Sequence, residues 1–364
     1  MVVAPDKLAE FRAEVSLSEH TTIRLGGSAQ YFITCRTIDE ILSALSFFQT
    51  VGVPIYIIGG GSNVIFPDKG VRGLVLKVGL RGILANEDTD SVIITAAAGE
   101  QWDDLVEMCV ARDFAGIECL SGIPGLVGAT PIQNVGAYGQ DVKETIVSLR
   151  AIDRKSLEIV EMTGEDCSFG YRTSRFKSQD KGRFVVIEVK YKLRKSGKPE
   201  MRYEELNDYV RSRGKEAGDS KNENEEVNLR TVREAVLALR RRKSMLIDPA
   251  DPNSRSVGSF FVNPILSNEK LESFNDRLKH LHIKHAPTYK GDGGTKVSAA
   301  WLVENSGFAK GNRKGGVGIS SNHALALVNY SGTTRELLSL ANEIEDAVFV
   351  KFGIKLEKEA VVLE

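Results

Sequence analysis

Ser259 lies in the run Val257-Gly258-Ser259-Phe260-Phe261-Val262-Asn263-Pro264. A glycine before a serine can let the hydroxyl point into a cleft. A turn entering a buried strand is the plainer reading. Phe261 stands where the nucleophile elbow of a serine hydrolase needs glycine, so that chemistry is disfavoured. Arg172, Arg175 and Lys177 fall within Gly170-Tyr171-Arg172-Thr173-Ser174-Arg175-Phe176-Lys177. Cations so close together suit an anion, or equally a solvated charged edge. Glu357 and Glu359 are two apart, which puts both on one face of a strand with Lys355. Either carboxylate could do acid–base work, and a solvated face is the bland alternative.

Two glycine-rich segments could meet a ligand through backbone. In Ile58-Gly59-Gly60-Gly61-Ser62-Asn63-Val64 an apolar strand runs into glycines, whose unobstructed N–H groups can cradle a pyrophosphate or form a tight turn. No Gly-Lys-Ser/Thr follows, and Val64 stands where a dinucleotide fingerprint needs its third glycine. The second segment is Ser121-Gly122-Ile123-Pro124-Gly125-Leu126-Val127-Gly128-Ala129-Thr130-Pro131-Ile132-Gln133-Asn134-Val135-Gly136-Ala137-Tyr138-Gly139. Its glycines and prolines leave little room for regular structure, and its apolar residues argue against a solvated loop. A backbone wall against a flat cofactor is the favoured reading.

Other groups carry less. His280, His282 and His285 match no zinc spacing, so no metal site is expected. Arg240, Arg241, Arg242 and Lys243 complement a helix C-terminus. The 48 Lys+Arg balance 49 Asp+Glu in 364 residues, which gives no global reason to expect nucleic acid or an anionic membrane. Cys35, Cys109, Cys119 and Cys167 form no C-x-x-C pair, the pattern of a reduced, cytoplasmic protein. The first 14 residues lack the apolar core of a signal peptide.

The elements that must position these groups read as follows. Strands are expected at 29–34, 53–58, 73–78, 91–96, 146–152, 156–162 and 184–193, with helices at 38–48 and 102–110. Residues 214–226 are polar and read as an exposed, mobile insertion. The natural domain boundary lies near it. Thr231 and Glu234 predict a capping box ahead of a helix with Val232, Val236 and Leu239 as its stripe. A strand at 260–262, helices at 270–280 and 299–305, and a strand at 324–329 follow. Thr333 and Glu336 cap a last helix that Gly353 ends, before a terminal strand at 354–363.

Together the segments resemble the UDP-N-acetylenolpyruvoylglucosamine reductase family over nearly the whole chain, in order. His20-Thr21-Thr22-Ile23-Arg24-Leu25-Gly26-Gly27 looks like the family's opening, 59–63 its first flavin loop, and 123–139 its second. Residues 170–177, 258–264 and 356–359 look like its three catalytic segments. The resemblance implies an α+β fold: an FAD-binding domain of the vanillyl-alcohol-oxidase type over 1–228, in subdomains of about 1–72 and 73–228, and a substrate-binding domain over 229–364 whose last strand returns to the active site. It implies non-covalent FAD, NADPH as electron donor, hydride transfer to C3 of the enolpyruvyl group of a UDP-sugar, and a monomer with no nucleic-acid or membrane partner. An FAD-dependent oxidase of another small molecule is the alternative.

The resemblance also assigns residues. Gly59, Gly60, Gly61, Ser62, Asn63, Ser121, Ile123, Pro124, Gly125, Gly128, Ala129, Gln133, Asn134, Gly136, Ala137 and Tyr138 match cofactor-binding positions. Ser259 matches the proton donor to C2, and Arg172 and Glu359 the residues that polarise the carboxylate. Tyr203 and Asn263 match sugar-nucleotide positions, Tyr203 on a loop that closes over the substrate. Lys243 is the nearest candidate for a third, which counting back from Asp248-Pro249 puts at Met245. Ala360-Val361 stand where relatives often carry Val then Arg, and Gly60 replaces an acid. The chemistry is coherent. A guanidinium grips a carboxylate with two bonds. A serine, being a weak acid, can donate only to something as basic as an enolate carbon.

Overall fold

The computed structural model describes residues 11–195, 197–216 and 227–363. They form two compact units, interleaved along the chain. The first contains residues 30–60 and 72–242; the second contains 15–29, 61–71 and 243–364.

In the first unit, Ser28–Cys35 pairs with Val71–Val78, which pairs in parallel with Ile55–Ile58. Helix α1 (Ile38–Val51) starts at Thr37, whose hydroxyl accepts the Glu40 N–H. It buries Ile41, Ala44, Leu45 and Phe48, a stripe at helical spacing. Gly52 ends it at φ 76°, a left-handed stop that suits glycine. A second sheet is antiparallel, in the order Ile159–Thr163, Ile146–Asp153, Phe184–Lys195, Ser91–Ala97, Ile83–Glu87. Helix α2 (Trp102–Ala111) buries Trp102, Leu105, Val106 and Cys109 in the same core. The stretch 117–138 is as irregular as expected, relieved by short helical turns and the single turn α3 (Thr130–Gln133).

Helices α4 (Glu204–Glu216) and α5 (Leu229–Arg242) pack around Cys119 through Leu206, Val232, Val236 and Leu239. That core holds α5 in the first unit, so the compact units follow no single cut at 228/229. The expected box at Thr231 and Glu234 is corrected. Thr231 lies inside α5, and the cap is Asn228, whose Oδ1 accepts the Thr231 N–H at 2.9 Å. Leu229 is buried, so the helix starts where its apolar face does. Residues 214–216 of the expected insertion end α4, and 217–226 lie outside the described residues.

The second unit holds α6 (Asn268–His280), α7 (Ala299–Glu304) and α8 (Thr334–Phe352). α8 packs on a sheet ordered Ser256–Ser259, Ala326–Asn329, Val317–Ile319, Arg313–Lys314, while α6 packs on Ile265–Leu266 and Gly294–Val297, and α6 and α7 both meet α8. The expected strand at 260–262 is displaced to Ser256–Ser259: Phe260 and Phe261 are both buried, which breaks the alternation of a strand with one wet face. The expected terminal strand shrinks to Val361–Val362, parallel to Val64–Ile65, with one bridge between Phe261 and Lys358. Residues 15–29 and 61–71 belong here because distant chain needs them. Asp68 accepts the N–H groups of Thr334 and Arg335 at 2.7 and 2.9 Å, capping α8. Asn329 donates to the carbonyls of Ile23 and Arg24 at 3.0 and 3.1 Å. Among the described residues no helix is long and apolar enough to cross a membrane.

The capping box of Thr333 and Glu336 is formed as expected. Thr333→Ala should cost about 1 kcal/mol and lower the melting temperature by about 2–4 °C. An unshifted melt would mean that Asp68 alone caps the helix.

Candidate active site

In the first unit the two glycine segments run side by side. A Cβ built on Gly60 would lie 3.0 Å from the Gly125 Cα, and one on Gly59 would lie 3.7 Å from Leu126. The second segment is strung along residues 98–102 by backbone bonds. Trp102 N–H donates to the Gly125 carbonyl at 3.1 Å, and Val127 and Gly128 N–H donate to Glu100 and Ala98, each at 2.9 Å. A Cβ on Gly128 would stand 2.5 Å from that of Ala98, so only glycine fits there. Ser121 is buried and donates to the Glu118 carbonyl at 2.7 Å. Ile123, Pro124, Gly125 and Ala129 remain half-buried. The segment thus presents peptide groups along a fixed line, a form that fits a flat ring or a pyrophosphate.

Arg172 joins this segment. The turn that carries it closes with Gly170 N–H to Thr173 carbonyl at 3.0 Å and the reverse bond at 3.2 Å. Arg172 occupies its third position at φ 53°, where glycine or asparagine is usual. A bulky residue holds such a conformation only where its surroundings enforce it. Here Asn134 donates to the Gly170 carbonyl at 2.8 Å, and Ser174 donates to Ile132 at 2.8 Å. Lys177 donates to the Gln133 Oε1 at 2.9 Å. The Arg172 guanidinium donates to the carbonyls of Gly136 and Asn134 and lies 3.6 Å from the Asp141 carboxylate. A Cβ on Gly136 would fall 1.6 Å from that carboxylate and 2.8 Å from the guanidinium. Gly136 is therefore the space in which the pair meets.

Tyr138, at φ 47°, meets Tyr203 edge-to-face with ring centroids 5.6 Å apart. Burial pushes the Tyr138 phenol up to about 12, against the opposing charge of Arg240. Tyr203 is 40% exposed and ends the irregular stretch before α4, where its carbonyl accepts the N–H groups of Leu206 and Asn207.

The second unit holds the other positions. Gly61, at φ 70°, could carry no Cβ, which would lie 1.8 Å from the His20 carbonyl. Ser62 is half-buried, and Asn63 Nδ2 donates to the Glu359 carbonyl at 3.3 Å. The Glu359 N–H donates to Phe260 at 2.8 Å, so Glu359 and Ser259 sit on adjoining backbone. Glu357 is exposed and Glu359 half-buried, which separates two carboxylates that a shared strand face could not. Ser259 is half-buried at the end of its strand, beyond a bulge: Ser256 pairs with Val328 but Ser259 with Ala326. Gly258, at φ 77°, makes that bulge possible. The Asn263 carboxamide accepts the Ala299 N–H at 2.8 Å and so also starts α7. Lys243 is half-buried, just beyond the last turn of α5. Among the described residues no group of histidine, cysteine and carboxylate side chains could hold a metal.

Sequence reasoning missed Asp141, Asp103 and Arg233. Asp103 accepts the Gly122 N–H at 2.6 Å and is gripped by Arg233 at 2.6 and 3.0 Å. No local pattern marks residues whose partners are so distant in the chain.

Residues 29–163 match a family described as FAD binding domain, and 249–363 match the C-terminal domain of UDP-N-acetylenolpyruvoylglucosamine reductase. The chain is 44% identical to the reductase of that name from Thermobifida fusca, over 97% of this chain and 98% of the other. It is 43% identical to that from Salinispora arenicola, over 96% and 95%. The crystal structure of the Thermus caldophilus reductase shares the fold, with a TM-score of 0.64 at 21% identity, covering 98% of this chain and 100% of that one.

Gly136→Ala should crowd Asp141 and Arg172 and cost about 1–3 kcal/mol, as overpacking does. A thermal melt like that of the parent would show that the site has room to spare.

Proposed function

The chain belongs to the UDP-N-acetylenolpyruvoylglucosamine reductase family, and we propose that Arg172, Ser259 and Glu359 carry its chemistry. The enzyme is an FAD-containing, NADPH-dependent oxidoreductase that reduces the enolpyruvyl group of a UDP-sugar in peptidoglycan precursor synthesis. Its relatives favour this activity over an oxidase of another small molecule. FAD, when bound, supplies the hydride that NADPH has delivered to it.

The residues proposed to hold FAD are Gly59, Gly60, Gly61, Ser62 and Asn63 in the first loop. In the second they are Ser121, Ile123, Pro124, Gly125, Gly128, Ala129, Gln133, Asn134, Gly136, Ala137 and Tyr138. What they offer is largely peptide N–H, suited to a pyrophosphate. Hydride addition at C3 drives negative charge onto the substrate carboxylate. Arg172 takes up that charge as a fixed cation. Glu359, in its protonated form, donates a hydrogen bond to the same group, and the Ser259 hydroxyl gives its proton to C2. Tyr203, Lys243 and Asn263 bind the sugar nucleotide, Lys243 as a point charge for phosphate.

The observation that carries this reading is the setting of Arg172. An arginine in a left-handed turn position is held by the carbonyls of the glycine segment assigned to FAD. A solvated charged edge needs no such constraint. The four cysteines are free and buried, and burial pushes the thiols of Cys35, Cys109 and Cys167 up to about 12. Unreactive, unpaired thiols agree with work in the reducing cytoplasm. With UDP-sugar and NADPH as its ligands, the enzyme is proposed to act as a monomer.

Two substitutions test the roles. Ser259→Ala should leave anaerobic bleaching of the flavin by NADPH intact. It should slow reoxidation by the enolpyruvyl substrate about 10²- to 10⁴-fold. Stopped-flow traces in which both phases match the parent would remove Ser259 as donor. Arg172→Lys should cut kcat about 10²-fold or more, because an ammonium cannot grip two oxygens in one plane. Parent-like kinetics would move the carboxylate site elsewhere.

A further inference from the structure

We propose that Asp103, Arg233 and Arg240 form a charged clamp on the backbone of Gly122 that sets the FAD-facing line of the second glycine segment. Asp103 is then a positioning residue for the cofactor. The inference rests on the reading that this segment binds FAD.

Gly122 sits at φ 70°, at the head of Ile123-Pro124-Gly125. Its N–H donates to Asp103 Oδ1 at 2.6 Å, and its carbonyl accepts from Arg240 Nε at 3.2 Å. The two peptides that flank the Gly122 Cα are thus each held by a charged side chain. Asp103 is itself fixed by a two-pronged bond from Arg233, at 2.6 and 3.0 Å. Arg233 is only 8% exposed. A buried guanidinium such as Arg233 is costly to desolvate, and burying it is a poor way to gain stability alone. It does confer direction, because a forked guanidinium and a carboxylate tolerate little tilt.

The far end of the segment is held by the same kind of device. Gln140 follows Gly139, donates to the buried Glu118 at 2.9 Å and accepts the Cys119 N–H at 2.8 Å. Side-chain bonds that include a carboxylate therefore hold both ends of the segment. Between them residues 122–125 and 135–138 stay half-buried. Helix α5, which supplies both arginines, becomes part of the cofactor's support although Arg240 lies 118 residues beyond Gly122 and Arg233 130 beyond Asp103.

The test is an FAD titration of the full chain stripped of flavin, followed by fluorescence quenching, with visible circular dichroism of the reloaded protein. Asp103→Asn keeps the side chain's shape but removes its charge. It is expected to weaken FAD about 10- to 100-fold and to alter the flavin dichroism. Glu107→Gln is the control. Glu107 lies 3.6 Å from Arg233 and is largely exposed, and its loss should leave FAD affinity unchanged. Arg233→Lys keeps the charge but loses the fork, and should weaken FAD to an intermediate degree. If Asp103→Asn fails to fold, Arg233→Lys decides the question. Parent-like affinity and dichroism in the deciding variant overturn the clamp. So does a lowered melting temperature with unchanged FAD affinity, which would assign the network to stability. A parent protein that takes up no FAD overturns the flavin reading beneath the proposal, and shows itself before any variant is made.

Discussion

The carboxamide of Asn134 is the joint on which the site of the first unit depends. It is fully buried, at φ 44°, where asparagine is among the few residues at ease. Its Nδ2 donates to the Gly170 carbonyl, its Oδ1 accepts the Lys143 N–H, and its own carbonyl accepts from Arg172. A carboxamide offers a donor and an acceptor on separate atoms, so it satisfies a carbonyl and an amide from two separate segments. A carboxylate of the same shape would set oxygen against oxygen at Gly170. Through this one residue the glycine segment, the Arg172 turn and the start of residues 142–144 share a geometry.

Much of this was legible in the chain because it is local. Thr333 and Glu336, three apart, announced the start of α8, and Gly353 its end. The stripe of Ile41, Ala44, Leu45 and Phe48 announced α1. The glycine segments were legible for another reason: a backbone that must pass within contact distance of another leaves room for no Cβ, and that demand is written in residue type. The failures share a cause as well. Thr231 mimicked a cap, but burial of Leu229 moved the helix start back to Asn228. Residues 354–363 alternate as a strand should, but they found partners at only a few positions. Arg172 in a left-handed turn could not be foreseen, since its own residue type argues against that conformation.

Charge in this protein works at short range. The net charge is −1, and the groups that matter stand in pairs: Arg172 with Asp141, Asp103 with Arg233, and the carboxylate of Glu118 with the carboxamide of Gln140. Each brings together segments distant along the chain, which explains why no window of sequence discloses them. Apolar periodicity sets where elements lie, and these polar junctions then set where their ends and loops point.

The interleaving of the second unit bears on how the molecule is made. Residues 15–29 leave the ribosome early, but Asn329, which bonds the carbonyls of Ile23 and Arg24, is synthesised 305 residues after the nearer of them. At about 5–20 residues per second, that stretch waits roughly 15–60 s for its partner. Residues 61–71 likewise wait for α8, whose N-terminus Asp68 caps. The second unit can close only after Asn329 and α8 have been made, while buried residues such as Ile23, Ile65 and Phe66 stay uncovered in the nascent chain. A polypeptide built this way depends on chaperone shelter, or on rapid synthesis, more than one whose domains follow each other end to end.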